Sequence, residues 1–253
     1  MSVTREPEIS RIPQIGKDVR RSSGANPGNR VKSAIRDVLA TLEHAYRDKI
    51  WHWMPNRARP LEIIIGAILV QHTTWTNAER ARDALRVSGA LDLRVLATTP
   101  EAEIAALVRI SGTPSVKARR LRAVAEMVQR AGGLDAFLAL PLESMGPLLL
   151  ATHGIGPETA DAIALYAGGR RAFVIDAYTQ RIFGRLGLEP APAGGYAAWQ
   201  RFFEEALPDD DAEAFQRYHG YIVLHAKALC GVKPQCAPCP LLPRCPYGQS
   251  LQT

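Results

Sequence analysis

From Ala214 to the C-terminus the sequence contains no aspartate and no glutamate. Arg217, Lys227, Lys233 and Arg244 carry the charge there, so this stretch is not an evenly solvated surface. Cysteine is nearly as confined: the 253 residues hold four, all between 230 and 245. That excludes a scatter of buried structural thiols. No run reaches the roughly 18 apolar residues of a membrane span. Residues 1–30 lack the apolar core of a secretory signal, so an intracellular protein is expected. Strand signals are equally scarce, and the best of them, Ala172-Phe173-Val174-Ile175, is short.

What the chain does have is helical spacing. Val31, Ile35, Val38, Leu39 and Leu42 form one stripe. The run from Leu61 to Val70, "LEIIIGAILV", is apolar all round, as suits a helix inside a bundle. Several later helical segments stop at glycine. These patterns predict an all-α protein. Residues 1–30, with six basic and three acidic side chains among Pro, Ser and Gly, read as a disordered basic arm. The whole chain balances 31 Lys and Arg against 25 Asp and Glu, a net charge of +6 that leans toward a polyanionic partner such as nucleic acid.

The cysteines are spaced C-x5-C-x2-C-x5-C, as Cys230, Cys236, Cys239 and Cys245. Four thiolates so close together in an intracellular chain imply a bound metal. A four-cysteine zinc site is one choice. One tight pair with wider flanks fits a [4Fe–4S] cluster better. Pro234, Pro238, Pro240 and Pro243 stiffen the loop that would hold it.

Two further features stand upstream. A helix is expected to end at His153, turn through Gly154-Ile155-Gly156 and restart at Pro157, a residue favoured at the first helical position. Glycines that leave N–H groups accessible beside a helix start make an anion site suited to a backbone phosphate. Asp176 then opens another helix. An N-cap accounts for it, and a capping carboxylate fixed in orientation is also a competent electrostatic catalyst.

The Gly-Ile-Gly hairpin, the aspartate 18 residues after Glu158 and the cysteine tail together resemble the helix–hairpin–helix DNA glycosylases of the endonuclease III superfamily. The likeness spans about residues 30–248. It implies two helical lobes, a six-helix barrel at 60–168 and a cluster lobe built from 31–59 and 169–253. Double-stranded DNA with a damaged base would bind across the cleft, with no membrane partner, and the protein would act as a monomer in the cytoplasm at the nucleoid. Gln71, Gly154, Ile155, Gly156 and Thr159 would contact DNA. Asp176 and Glu158 would be the catalytic pair, and the four cysteines would hold a [4Fe–4S] cluster. Members that also cleave the strand carry a hairpin lysine at the place held here by Glu158. The six lysines, at 17, 32, 49, 117, 227 and 233, all lie outside the hairpin. A carboxylate cannot form a Schiff base, which implies a monofunctional glycosylase without lyase activity. Glu158 as a simple helix-start anion is the plainer alternative.

The stretch Gln71–Asn77, "QHTTWTN", ends the apolar helix in polar residues and one Trp. A helix C-terminus needs such atoms for its last carbonyls. With Trp53-Met54-Pro55 it is also similar to the 3-methyladenine branch, in which aromatic residues wall the base pocket. Trp53, Trp75 and His72 are the matching positions, His72 standing where that branch usually has Asn. Core packing of the two tryptophans stays open. Alkylated purines are the implied substrates. A glycosylase for oxidised pyrimidines or mismatched uracil or thymine is the alternative within the class, and a non-catalytic damage-binding protein the alternative outside it.

Overall fold

The computed structural model describes residues 27–49, 59–191 and 194–252. Among them every regular element is helical and no strand forms, so the protein is all-α. Helix α1 runs Pro27–Tyr46, so residues 27–30, expected in the arm, instead form its first turn. The rest of the expected arm, 1–26, and the segment with Trp53 lie outside the described residues.

Helix α2, Pro60–Leu69, starts on Pro60 and buries Ile64 through Leu69 on every side. Its all-round apolar sequence demands that position. It packs against α3 (Trp75–Val87), α6 (Pro114–Arg130) and the later hairpin helix. Helices α4 (Leu93–Thr98) and α5 (Glu101–Leu107) cover α6, followed in the chain by α7 (Leu134–Ala139) and α8 (Leu142–Leu150). Side chains from this region share one core that includes Leu85, Leu121, Phe137, Met145 and Leu149.

A second core gathers Ile35, Leu39 and Leu42 of α1 around Phe173, Phe183, Phe203 and Phe215. Phe173 stacks on Phe203 at 4.4 Å and meets Phe215 edge-on at 5.0 Å. Helices α10 (Ala177–Arg185), α11 (Gly195–Ala206), α12 (Ala212–Ala228) and α13 (Pro246–Ser250) enclose it with α1.

The chain crosses between the cores within a few residues. Helix α9, Pro157–Ala162, continues as a π-helical turn over Ile163–Ala167. Ile163 and Ala164 belong to the first core, Leu165 and Tyr166 to the second. The widened turn frees carbonyls, and Gln216 of α12 donates to that of Leu165 at 2.8 Å. Such turns cluster near functional sites. Here it stands between the hairpin and Asp176.

The segment Ala172–Ile175, the best strand signal in the sequence, has no regular structure and joins no sheet among the described residues. Side chains of α11 take its backbone hydrogen bonds, so the apolar β-branched pattern is realised without a neighbouring strand.

Candidate functional site

The hairpin forms where the sequence places it, with one boundary moved. Helix α8 ends at Leu150 rather than His153, and residues 151–156 turn the chain into α9 at Pro157. Ile155 is buried between the arms, and Gly154 takes a φ of +79° that L side chains rarely adopt. A side chain at Gly154 would also collide with Arg120. Gly156 differs: its backbone is extended, and a Cβ there would meet open space. The first N–H groups of α9 have no intrahelical acceptor and receive no side-chain cap.

Gln71 binds this hairpin. Its Nε2 donates to the Gly154 carbonyl at 3.2 Å and to the Thr159 hydroxyl at 2.9 Å, while its Oε1 accepts from Arg120. Other polar residues of the stretch end one helix and start the next. Thr74 caps α3 by accepting from the Asn77 N–H, and the Asn77 amide donates to Thr73. His72 is exposed with a φ of +55°. The Trp75 ring lies 3.7 Å from where a Cβ on Gly66 would stand, packed against the first core and only partly buried.

Beneath this rim, Lys117 is fully buried. Its Nζ donates to the carbonyls of Leu69, at 2.6 Å, and of Ser111. It thereby satisfies the C-terminus of α2, and its apolar surroundings push its pKa down to about 8.

Asp176 is the N-cap of α10, with Oδ1 accepting from the Thr179 N–H at 2.7 Å and hydroxyl at 2.8 Å. Oδ2 lies 3.6 Å from His219 Nε2 on α12. Burial pushes the Asp176 carboxyl upward, but His219 and the two Thr179 donors outweigh it and hold its pKa below the usual carboxylate value. This is a largely covered, ionised carboxylate. Glu158 behaves oppositely. Desolvation and then the charge of Asp176 raise its pKa, with His219 and His72 opposing. Glu158 is the more exposed of the two, and the two carboxyls shift in opposite directions.

His219 was not anticipated from the sequence. Its Nδ1 lies 2.7 Å from the Tyr166 hydroxyl, which also donates to the Gln216 carbonyl at 3.3 Å. The signal available was a polar residue amid the apolar run of α12, which a long-range contact alone could interpret.

Asp161, one turn into α9, is a third unusual carboxylate. Its Oδ2 accepts from the Tyr196 hydroxyl and from Gln200 Nε2, both at 2.7 Å. Burial raises its pKa to about 6, with Glu204 adding to the rise and those two donors opposing it. A carboxyl whose folded pKa exceeds its unfolded one stays protonated longer when folded. Its penalty is therefore absent at low pH and grows as pH rises from about 4 to about 6. Asp161→Asn keeps an acceptor for both donors and removes the ionisation. The melting temperature of this variant relative to the parent should increase between pH 4 and pH 7. A pH-independent difference would show that Asp161 ionises as freely in the folded chain as outside it.

The four cysteines line one small, partly open pocket of about 20 Å³, with Arg185, Pro234 and Tyr247 also in its wall. Among the described residues no three His, Cys, Asp or Glu side chains gather tightly enough for a single ion. Sulfur donors are of the kind that suit iron or zinc. Arg185 Nη1 donates to Cys230 Sγ at 3.2 Å. His225 Nε2 lies 3.6 Å from Cys239 Sγ, and its Nδ1 is 3.0 Å from the Tyr46 hydroxyl. Burial, with the other three thiols adding, pushes Cys239 up to about 11, so a cation is needed to make the group thiolate.

A model of the HhH-GPD superfamily of base excision DNA repair proteins matches residues 65–209. A protein of Methanocaldococcus jannaschii named as a candidate DNA repair glycosylase is 36% identical over 197 residues, 77% of this chain and 88% of its own. Endonuclease III of Sulfolobus acidocaldarius is 29% identical over 142 residues, 55% of this chain and 60% of its own. Among solved structures, a non-covalent endonuclease III–DNA complex matches with TM-score 0.72 at 20% identity, over 87% of this chain and 98% of that one. The 3-methyladenine DNA glycosylase of H. pylori, bound to 1,N6-ethenoadenine, matches with TM-score 0.63 at 24% identity, over 79% of this chain and 97% of that one.

Proposed function

Because this chain belongs to the HhH-GPD superfamily of base excision DNA repair proteins, a DNA glycosylase family, we propose that it is a monofunctional DNA glycosylase for alkylated purines such as 3-methyladenine. The observation that carries this reading is the pair Asp176 and Glu158: an ionised carboxylate beside a second carboxyl, where strand-cleaving relatives of the resemblance have an amine. Lys117, the one lysine of the barrel, is committed to the carbonyls of Leu69 and Ser111. An ionised Asp176, electrostatically coupled to Glu158, favours a base that arrives positively charged and leaves neutral. Asp176 supports the positive sugar as the glycosidic bond lengthens, and water completes the displacement.

In this reading DNA lies across the hairpin, with Gly156 and the start of α9 against a phosphate and Gln71, Gly154, Ile155 and Thr159 setting the hairpin's shape. His72 and Trp75 form part of the pocket lip, with Trp53 as its second wall. The barrel is residues 60–168 and the remainder from 31 onward forms the second lobe, the division into two cores being its support. Cys230, Cys236, Cys239 and Cys245 hold a [4Fe–4S] cluster, which stiffens the loop that precedes α13. Among the described residues no helix is long and apolar enough to cross a membrane.

A panel of duplexes, each with one lesion, tests the substrate: N-methylpurine should be released as free base, and oxidised pyrimidine or mismatched uracil and thymine should not. Faster release of a neutral pyrimidine would reverse that assignment. The hairpin has its own test. Gly156→Val adopts an ordinary backbone in open space, so the protein should fold. The added methyls should lower affinity for damaged and undamaged duplex by a similar factor, because phosphate contacts position without specifying. Weakening confined to lesion-bearing DNA would place the phosphate elsewhere.

A further inference from the structure

We infer that α11 substitutes for a missing β-strand, and that its residues Tyr196, Gln200 and Glu204 are positioning residues that set the backbone delivering Asp176 to the site. The inference rests on the proposed role of Asp176. Residues Ala172–Ile175 lead into Asp176 without regular structure, and among the described residues no strand lies beside them. Their outward edge is met instead by three side chains of one helix. Glu204 Oε1 accepts from the Phe173 N–H at 3.1 Å. Gln200 Nε2 donates to the Phe173 carbonyl at 3.4 Å. The Tyr196 hydroxyl accepts from the Ile175 N–H at 3.3 Å and donates to Asp161 of α9 at 2.7 Å.

The match follows from two periods. Groups on residues 173 and 175 share an edge because strand periodicity is two, and they are separated by about 6.6 Å. Residues 196, 200 and 204 share a helix face, each about 6 Å from the next along the axis. One helical turn therefore spans two residues of the segment, and the helix runs antiparallel to it, 204 and 200 against 173, 196 against 175. Gln200 joins the ladder to Asp161 as well, so the segment, α11 and the hairpin helix meet at that one carboxyl.

Burial does not need this ladder. Phe173, Val174 and Ile175 are each at most 2% exposed, and the aromatic stack with Phe203 and Phe215 already fixes Phe173. Apolar contacts tolerate sliding, whereas hydrogen bonds fix register. The last rung sits one residue before Asp176, so a slip there moves the carboxylate directly.

The test uses the full-length, iron-loaded protein and N-methylpurine duplex as probe. Measured are single-turnover excision, duplex affinity, and amide exchange at Phe173 and Ile175, in Tyr196→Phe, Glu204→Met and Glu204→Gln. Tyr196→Phe and Glu204→Met should slow excision about tenfold or more, the scale of a small misplacement of a reacting group. Affinity should hold, and exchange should quicken at Ile175 in the first and at Phe173 in the second. Glu204→Gln still presents an acceptor to Phe173 and should keep the parent rate. Unchanged excision in Tyr196→Phe and Glu204→Met, with Asp176→Asn inactive, overturns the ladder and leaves the role of Asp176 intact. Equal losses in Glu204→Gln and Glu204→Met also overturn it, since an acceptor would then not matter. Full excision by Asp176→Asn overturns the catalytic role first, and the inference falls with it.

Discussion

Asp176→Asn is expected to fold, bind lesion-bearing duplex normally, and lose base excision by about two orders of magnitude or more, the scale of a lost preorganised electrostatic group. Three observations fix that outcome. The Asp176 Oδ1 takes the Thr179 N–H at 2.7 Å, and an Asn Oδ1 can take it equally, since Asn caps helices about as well as Asp. The charge, however, disappears, and with it the partner that His219 faces at 3.6 Å. Because Asp176 is held ionised below the usual carboxylate range, excision should also persist as pH falls below 5, until Asp176 itself protonates. A melting curve beside a single-turnover assay separates the two readings of this residue. A cap alone would make the Asn variant both stable and active. A variant that is stable and inactive identifies the carboxylate charge as the catalytic element.

The second large effect concerns the cysteine loop. Purified without oxygen, the protein should be brown and contain about four irons per chain, as a four-thiolate [4Fe–4S] site requires. Cys236→Ser should strip most of that iron and lower the melting temperature by about 10 °C, on the scale of 2–4 °C per kcal/mol for a chain of this size. The reason is local. Residues 229–245 carry little regular structure beyond the short 3-10 turn Leu242–Arg244, and only a few backbone bonds such as Gln235 N–H to the Leu229 carbonyl at 2.9 Å tie them down. A cluster bound there would therefore supply much of the order between α12 and α13. Iron content, the visible absorption band and the melting curve read this without any activity assay. Stoichiometric zinc in iron-free native protein would contradict it.

The helical architecture was legible because apolar spacing and glycine stops are local signals. Helix α2 needed only its own ten residues, and the hairpin only Gly154, Ile155 and Pro157. Asp176 as an N-cap was legible for the same reason. Ala172–Ile175, the best of the scarce strand signals, forms no strand among the described residues, and the partner of its backbone groups was not visible locally. That partner is a helix more than 20 residues away in sequence. The stripe Tyr196, Gln200, Glu204 at four-residue spacing was visible, but nothing local said which backbone it served. His219 and Lys117 were silent for a related reason: a buried polar residue acquires meaning from what it touches across the fold. The polar stretch after α2 proved to mix purposes, with Thr74 and Asn77 starting α3, Gln71 binding the hairpin, and His72 left exposed beside Glu158.

The central claim, excision by a carboxylate without an amine nucleophile, is tested most directly by one gel assay. N-methylpurine duplex is incubated with enzyme, and each sample is divided between alkaline workup, no alkali, and borohydride. Free base with strand breaks only after alkali, and no covalent protein–DNA band with borohydride, is the expected result. Breaks without alkali, together with a borohydride-trapped adduct through a lysine, would contradict it.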